Sequence, residues 1–404
     1  MMDIGDRSES EGVQSLTELI EKTSARRFIE APPPEDLGLA EPIAFPFLSI
    51  VGQAEMKLAL ILSLVNINIG GVLLIGPRGT GKTTAVRSLI DLLPDVERSR
   101  CTYGCLPEDI TSGGIEDVCP DCARRYGMGE PLTYVDQVRL IELPLNARLE
   151  DVVGGIDERA AIHQRMRLNR GILARADQNL LFVDEVNLLD DEIVDAILDA
   201  AAQGTFSVHR GPLVATYRAR FILIGSMNPE EGRLRPQILD RFGLRVIVRG
   251  LEHKKERLEA YHRTVSFRNN PRRVVKEFSE ATELFREELA SARSLLQEVR
   301  LTSQAESFGL KLIQDLGIDS LRAEITLFEA ARAHAIADGR DRARVEDIRI
   351  VAPMCLRMRR STFMRDYLSS VDEEAEEIHR LLRKSPIRNS SQHKETEPKK
   401  GTPG

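Results

Sequence analysis

The segment Gly76-Pro77-Arg78-Gly79-Thr80-Gly81-Lys82-Thr83 fits G-x-x-x-x-G-K-[ST] without a mismatch. Glycines at 76, 79 and 81 let the backbone curl closely enough for its N–H groups to point at phosphate oxygens. The loop leaves an apolar run, VLLI, and opens a helical stretch, TTAVRSLIDLL, so Thr83 and Thr84 stand at a helix N-terminus that favours anions. Lys82 would reach β and γ phosphates, and the Thr83 hydroxyl would ligand Mg²⁺. The chemistry indicated is binding of ATP with Mg²⁺.

A second apolar run, LLFVDE (180–185), ends in two carboxylates. In a parallel sheet these emerge at the carboxyl end of the strand, beside the phosphate loop. Asp184 would hold Mg²⁺ directly or through water, and Glu185, pointing differently, would polarise the attacking water as general base. Three more residues fit a ring ATPase. Asn228 ends FILIGSMN and would orient the water or sense the γ-phosphate. Arg241, in LRPQILDRFG, is placed to stabilise transition-state charge as arginine fingers do. Arg322 opens LRAEITLFEAARAHA and would report the nucleotide state to a helical domain.

Four of the five cysteines, Cys101, Cys105, Cys119 and Cys122, form C-x₃-C-x₁₃-C-x₂-C. That spacing suits tetrahedral thiolate coordination of Zn²⁺, and the YG and PD pairs are turn formers that help two knuckles converge. A structural zinc knuckle at 101–122, a redox-switch thiol pair and four unrelated thiols are the alternatives. Cys355 falls on an apolar helix face and reads as a core thiol.

The elements that position these residues follow from apolar patterning. Short Val/Ile/Leu runs at 72–76, 138–143, 180–185, 221–228 and 244–250 alternate with helical stretches, as expected of strands buried on both faces of a parallel sheet. The expectation is an α/β P-loop core over 41–250, with the Cys knuckle as an insertion. A smaller all-α lid domain over 251–370 should follow. There Phe278, Ala281, Phe285, Ala292, Leu296 and Val299 repeat at helical spacing, as do Ile348, Val351, Ala352, Cys355 and Leu356. No strand-like run interrupts 255–365. Residues 1–40 read as a mobile arm and 371–404 as a polar, mostly disordered tail.

Composition removes several classes. Five cysteines in 404 residues make no disulfide scaffold, and a net charge of −7 argues against a basic nucleic-acid coat. The twenty uncharged residues between Lys57 and Arg78 have the length of a membrane span. Asn66, Asn68 and Gly70-Gly71 interrupt them, so they parse as an amphipathic helix at roughly 53–65, a turn and a strand at Val72–Ile75. The acidic N-terminus is neither signal nor transit peptide, and a cytoplasmic location is expected.

At this point the chain resembles the ATPase I subunit of magnesium chelatase, in the AAA+ superfamily. The matching stretches are FPFLSIVGQAEMKLALIL (45–62), GGVLLIGPRGTGKTTAVRSLIDLLP (70–94), VDEVNLLDDEIVDAILDAAAQG (183–204), ARFILIGSMNPEEGRLRPQILDRFGLRV (219–246) and LRAEITLFEAARA (321–333). The resemblance implies a homo-oligomeric ring, a hexamer, with ATP between protomers. It implies that Arg241 acts in trans and that Arg322 is the sensor on the lid. It also implies two partners, an AAA+-like subunit with an integrin-type domain and a large subunit holding protoporphyrin IX. ATP hydrolysis would drive Mg²⁺ insertion in (bacterio)chlorophyll biosynthesis. The stretch 204–221 looks like the family's β-hairpin before the sensor strand, and 152–164 like its inserted element. The seven His are scattered, so porphyrin chemistry is expected on the large subunit. The Cys quartet is not part of the matching pattern, and an added knuckle allows a different partner. Two other readings share the ATP site: a MoxR-like chaperone remodelling a protein client, and a DNA-translocating ring using Arg210, Arg218 and Arg220. The acidic balance weighs against nucleic acid, and no membrane partner is expected.

Overall fold

The computed structural model describes residues 43–155, 169–210, 213–232 and 234–360. The expected arm, the tail, the last residues of the lid and most of the inserted element at 152–164 lie outside the described residues. Five strands form one parallel sheet: β1 (Val72–Ile75), β4 (Leu140–Glu142), β5 (Leu180–Val183), β8 (Ile222–Met227) and β9 (Leu244–Ile247), in the order β4-β5-β8-β1-β9. All five apolar runs read from the sequence are strands. Within β1 the side chains alternate between two cores, Val72 and Leu74 on one face and Leu73 and Ile75 on the other. That alternation is why a continuous apolar run is needed there. β8 lies between β5 and β1, so the ends of these three strands share one edge of the sheet.

Helix α1 (Ala54–Val65) precedes β1, and α2 (Lys82–Arg87) follows the phosphate loop. The sequence marked α1 as amphipathic, but Met56, Leu60, Ile61, Leu64 and Val65 are all buried, around most of its circumference. Its second side is covered by the helical half of the chain, which the local pattern does not reveal. Helix α2 is also shorter than TTAVRSLIDLL suggests. The Ser88 hydroxyl donates to the Ala85 carbonyl at 2.8 Å, and the backbone tightens to i→i−3 bonding, Leu89 to Val86 and Leu92 to Leu89.

Between β1 and β4 a small satellite is closed by β2 (Val96–Ser99) against β3 (Thr133–Asp136), antiparallel. It carries helices α3 (Pro107–Gly113) and α4 (Pro120–Gly127) and the Cys quartet. Helices α5 (Leu149–Val153) and α6 (Ile172–Ala176) lead to β5, and α7 (Asp191–Gln203) follows it. The expected hairpin is present as β6 (Thr205–Arg210) against β7 (Leu213–Arg218), with Thr205 opposite Arg218. Helix α8 (Pro236–Arg241) precedes β9.

The helical half comprises α9 (Lys254–Asn269), α10 (Pro271–Leu295), α11 (Ser303–Asp315), α12 (Leu321–Ala337) and α13 (Val345–Leu356). The two stripes read from the sequence are buried faces: Phe278, Ala281, Phe285 and Ala292 of α10, and Ile348, Val351, Ala352, Cys355 and Leu356 of α13. Two two-residue strands, Arg300–Leu301 and Arg342–Ala343, pair in parallel within this half, contrary to the strand-free expectation. They are too short to leave a period-2 pattern. One apolar core runs from Phe47 and Leu60 through Leu74, Phe182 and Val246 to Phe285, Leu327 and Val351, so the helical half and one sheet face share their interior.

Candidate active site

The phosphate loop sits at the carboxyl end of β1, in a cleft lined by Arg78 to Thr84, Asp184, Glu185, Ser226 and Asn228. Gly79 and Gly81 have φ of +78° and +86°, the left-handed region a glycine enters without strain. Gly76 is needed for space, because a Cβ there would fall on the Val248 carbonyl oxygen. Lys82 is buried, and its ammonium donates to the carbonyls of Gly76 at 2.7 Å and Pro77 at 2.9 Å. Burial lowers its pKa, against the opposing charges of Asp184, Glu185 and Glu231.

The Thr83 hydroxyl donates to Asp184 Oδ2 at 3.3 Å, and Ser226 Oγ donates to Asp184 Oδ1. A hydroxyl and a carboxylate facing each other across the loop are hard oxygen donors of the kind Mg²⁺ takes beside nucleotide phosphates. Glu185 has φ of +51°, and its N–H donates to Ser226 Oγ at 3.1 Å. A non-glycine residue held in this region is a strained position that turns the carboxylate out of the strand direction. Arg78 pairs with Glu185 Oε1 at 3.2 Å and with Glu231. Asn228 is buried at the end of β8 and lines the same cleft.

A second cavity, about 630 Å³, shares Gly79, Thr80, Gly81 and Thr84 with the phosphate cleft. Its remaining walls include Val51, Gln53, Leu251 and Phe267. It lies in the size range of small-molecule sites and adjoins the loop.

Arg241 and Arg322 are not in that cleft. Arg241 Nη1 lies 3.0 Å from Asp195 Oδ1 and 2.9 Å from Asp199 Oδ1, both on α7. Arg322 lies 3.7 Å from Asp240 Oδ2 and is more than half exposed. A single chain brings together the phosphate loop, Asp184, Glu185 and Asn228 and leaves both arginines outside that cleft.

The four sulfurs of Cys101, Cys105, Cys119 and Cys122 lie within 4.8 Å of one another, and all are free thiols. Burial raises each of the three shifted groups, most plainly Cys105, pushed up to about 12, and Cys122. At Cys101 hydrogen bonds from Ser99 and from the Cys105 and Tyr103 N–H groups outweigh burial and bring the thiol down to about 7.

The sequence aligns with a magnesium-chelatase subunit ChlI homolog of Methanocaldococcus jannaschii at 43% identity over 323 residues, 79% of this chain and 87% of that protein. The chain belongs to the ChlI family of magnesium-chelatase subunits. The chloroplastic ChlI of Glycine max is 40% identical, with 81% of this chain and 77% of that protein covered. A solved structure of the BchI–BchD complex of magnesium chelatase matches at 37% identity, covering 80% of this chain and 98% of that one, with a TM-score of 0.45. Family models for an AAA lid domain and an MCM P-loop domain match residues 311–381 and 153–256. No helix among the described residues is long and apolar enough to cross a membrane.

Within this ChlI-family site, sequence reasoning missed Ser226, Glu231 and the second cavity. Ser226 had a usable signal, since it stands two residues before Asn228 and so on the same strand face. The cavity had none, because its walls come from segments two hundred residues apart.

Proposed function

We propose that the chain is the ATP-hydrolysing motor subunit of a magnesium chelatase, coupling hydrolysis to insertion of Mg²⁺ into protoporphyrin IX. The observation that carries this is ChlI-family similarity running through four-fifths of the chain, with the phosphate loop, Asp184, Glu185 and Asn228 converging on one cleft. The relatives favour this reading over the client-remodelling chaperone. ATP and Mg²⁺ are its cofactors. The Cys quartet is set apart from this chemistry, as a candidate seat for a structural Zn²⁺.

In this reading the loop N–H groups and Lys82 bind the phosphates, Lys82 exchanging its carbonyl contacts for phosphate oxygens. Thr83 and Asp184 would hold Mg²⁺, which would supply positive charge to offset that of the phosphates. Glu185 parts from Arg78 and accepts a proton from the attacking water, which Asn228 orients. Arg241 leaves Asp195 and Asp199 to meet the ATP of a neighbouring protomer in a ring, a hexamer, and Arg322 reports through the lid domain. Residues 41–250 form the ATPase domain and 251–370 the lid.

The proposed partners are the integrin-domain AAA+ subunit, the counterpart of BchD beside BchI, and a large porphyrin-binding subunit. The pathway is that of chlorophyll or bacteriochlorophyll. The test is reconstitution of the purified chain with these two subunits, protoporphyrin IX, Mg²⁺ and ATP. Metalloporphyrin formation read by fluorescence, abolished by Lys82→Ala, supports the reading. ATP hydrolysis without metal insertion in the complete mixture overturns it.

A further inference from the structure

The satellite between β2 and β3 has almost no apolar core of its own. Its buried cluster is Cys105, Val118, Cys122 and Leu132, with Ile110 and Ala123 partly covered. Units this small need a cross-link, a metal or a partner to hold one conformation. The structure places four thiols where such a core would be.

The arrangement is that of one tetrahedral site rather than two disulfides. All four sulfurs are mutually within 4.8 Å. Zn–S bonds of about 2.3 Å set tetrahedral sulfurs roughly 3.8 Å apart. Paired disulfides would draw the sulfurs to about 2 Å in twos. Two turns bring the ligands in. Gly104, at φ of +84°, turns the chain between Cys101 and Cys105. Cys119 is the N-cap of α4 and Cys122 lies in its first turn, the end of a helix where thiolate charge is favoured. Donors already face the sulfurs: Cys101 Sγ accepts from Ser99 Oγ and the Cys105 N–H, and Cys105 Sγ accepts from the Cys119 N–H, each at 3.3 Å. Such bonds offset the negative charge of a tetrathiolate centre.

The same turn that carries Cys101 and Cys105 grips the β6–β7 hairpin. Tyr103 stacks on Tyr217 with centroids 5.6 Å apart, and Tyr217 stacks in turn on Phe206 at 5.6 Å. The Arg218 N–H donates to the Tyr103 carbonyl at 3.4 Å. The Arg218 guanidinium pairs with Asp109, whose other oxygen accepts the Leu106 N–H at 2.7 Å. Gly104 lies so close that a Cβ there would be 3.0 Å from that of Arg218.

We infer that Cys101, Cys105, Cys119 and Cys122 bind one structural Zn²⁺, and that the folded knuckle braces the β6–β7 hairpin through Tyr103, Gly104 and Asp109. The inference deepens the reading of the quartet as an ion site and rests on it. The brace matters because β7 runs directly into β8, the strand bearing Ser226 and Asn228. The knuckle therefore fixes the hairpin from outside the ATP cleft.

The test uses the full chain purified under reducing conditions without added metal. Elemental analysis should find about one zinc per chain, falling below roughly a tenth in Cys119→Ser and unchanged in Cys355→Ser. Should Cys119→Ser fail to fold, cobalt substitution of the wild-type chain should give the charge-transfer and visible bands of tetrahedral thiolate. Hydrogen exchange of the 205–210 and 214–218 amides should accelerate about tenfold when zinc is chelated, while β1 and β5 stay protected. Tyr103→Ala should keep the zinc and loosen the hairpin to a similar degree. Iron in place of zinc, absence of metal, or mapped disulfides within the quartet would overturn the ion site. Stoichiometric zinc with hairpin exchange indifferent to chelation and to Tyr103→Ala would overturn the brace alone.

Discussion

Replacing Arg241 by alanine separates structural from catalytic contributions by their size. Its guanidinium is 27% exposed and rests between Asp195 and Asp199, which are themselves 48% and 55% exposed. Ion pairs so open to water contribute about 0.2–1 kcal/mol each. Both pairs use one nitrogen, so Arg241→Ala should cost at most about 1–2 kcal/mol and lower Tm by a few degrees. An arginine meeting transferred phosphoryl charge accounts for about 10³–10⁵ in turnover, or roughly 4–7 kcal/mol. The expected result is near-normal nucleotide affinity and Tm with phosphate release reduced at least about a thousandfold. Mixing with Lys82→Ala then tests the direction of action. An interface is complete when one protomer keeps Lys82 and its neighbour keeps Arg241, which holds for about a quarter of interfaces in an equal random ring. Recovery to about that fraction of wild-type turnover is expected. Turnover by Arg241→Ala alone, or a mixture as inactive as its parts, would refute the reasoning.

Lys82→Ala should remove the cation that meets the phosphates and reduce ATP turnover at least about a hundredfold, measured by phosphate release with Tm monitored as a control. Gly76→Ala should weaken binding of a fluorescent ATP analogue by about tenfold or more, because its Cβ meets the Val248 carbonyl and displaces the loop; wild-type affinity would show that the loop tolerates the shift. In the helical half, burial would raise the Asp347 carboxyl, but hydrogen bonds from Arg340, His334 and the Arg344 N–H outweigh it and hold it well below the usual range. A depressed folded-state pKa gives stability that is present above the unfolded value of about 3.9 and lost as pH falls further. Thermal unfolding should therefore show a drop in Tm below about pH 4 that is shallower in Asp347→Asn, a variant that itself loses about 3 kcal/mol at neutral pH; parallel pH profiles would refute the assignment.

The five strands and the phosphate loop were legible because each is a local signal. VLLI at 72–75 must be apolar on both faces, and the glycines must allow the curl that follows. The cleft behind the loop was not legible, because Val51, Leu251 and Phe267 meet only once α9 folds back over the loop. The all-round burial of α1 escaped for the same reason: its polar neighbours in sequence say nothing about a helical half folded from the far end of the chain. Cys101 to Cys122 showed a metal spacing in sequence. The stacking of Tyr103 on Tyr217 joins residues over a hundred positions apart and leaves no periodic trace.

Asp240 and Arg241 are consecutive at the end of α8, yet they bind to opposite halves of the chain with unequal strength. Asp240 accepts from Arg359 at 2.6 Å and Ser320 at 3.2 Å, and lies 3.7 Å from Arg245 and Arg322. The side chains of Arg245 and Arg359 are fully buried, and burial lowers both guanidiniums while Asp240 opposes the shift. Withdrawing that carboxylate would leave two buried cations without their counter-charge, at a cost of several kcal/mol. Arg241 loses only about 1–2 kcal/mol on leaving Asp195 and Asp199. When the two attachments compete, the weaker one yields. By this comparison α8 is held more firmly to the helical half through Asp240 than to α7 through Arg241, and Arg241 is the side chain whose release costs less.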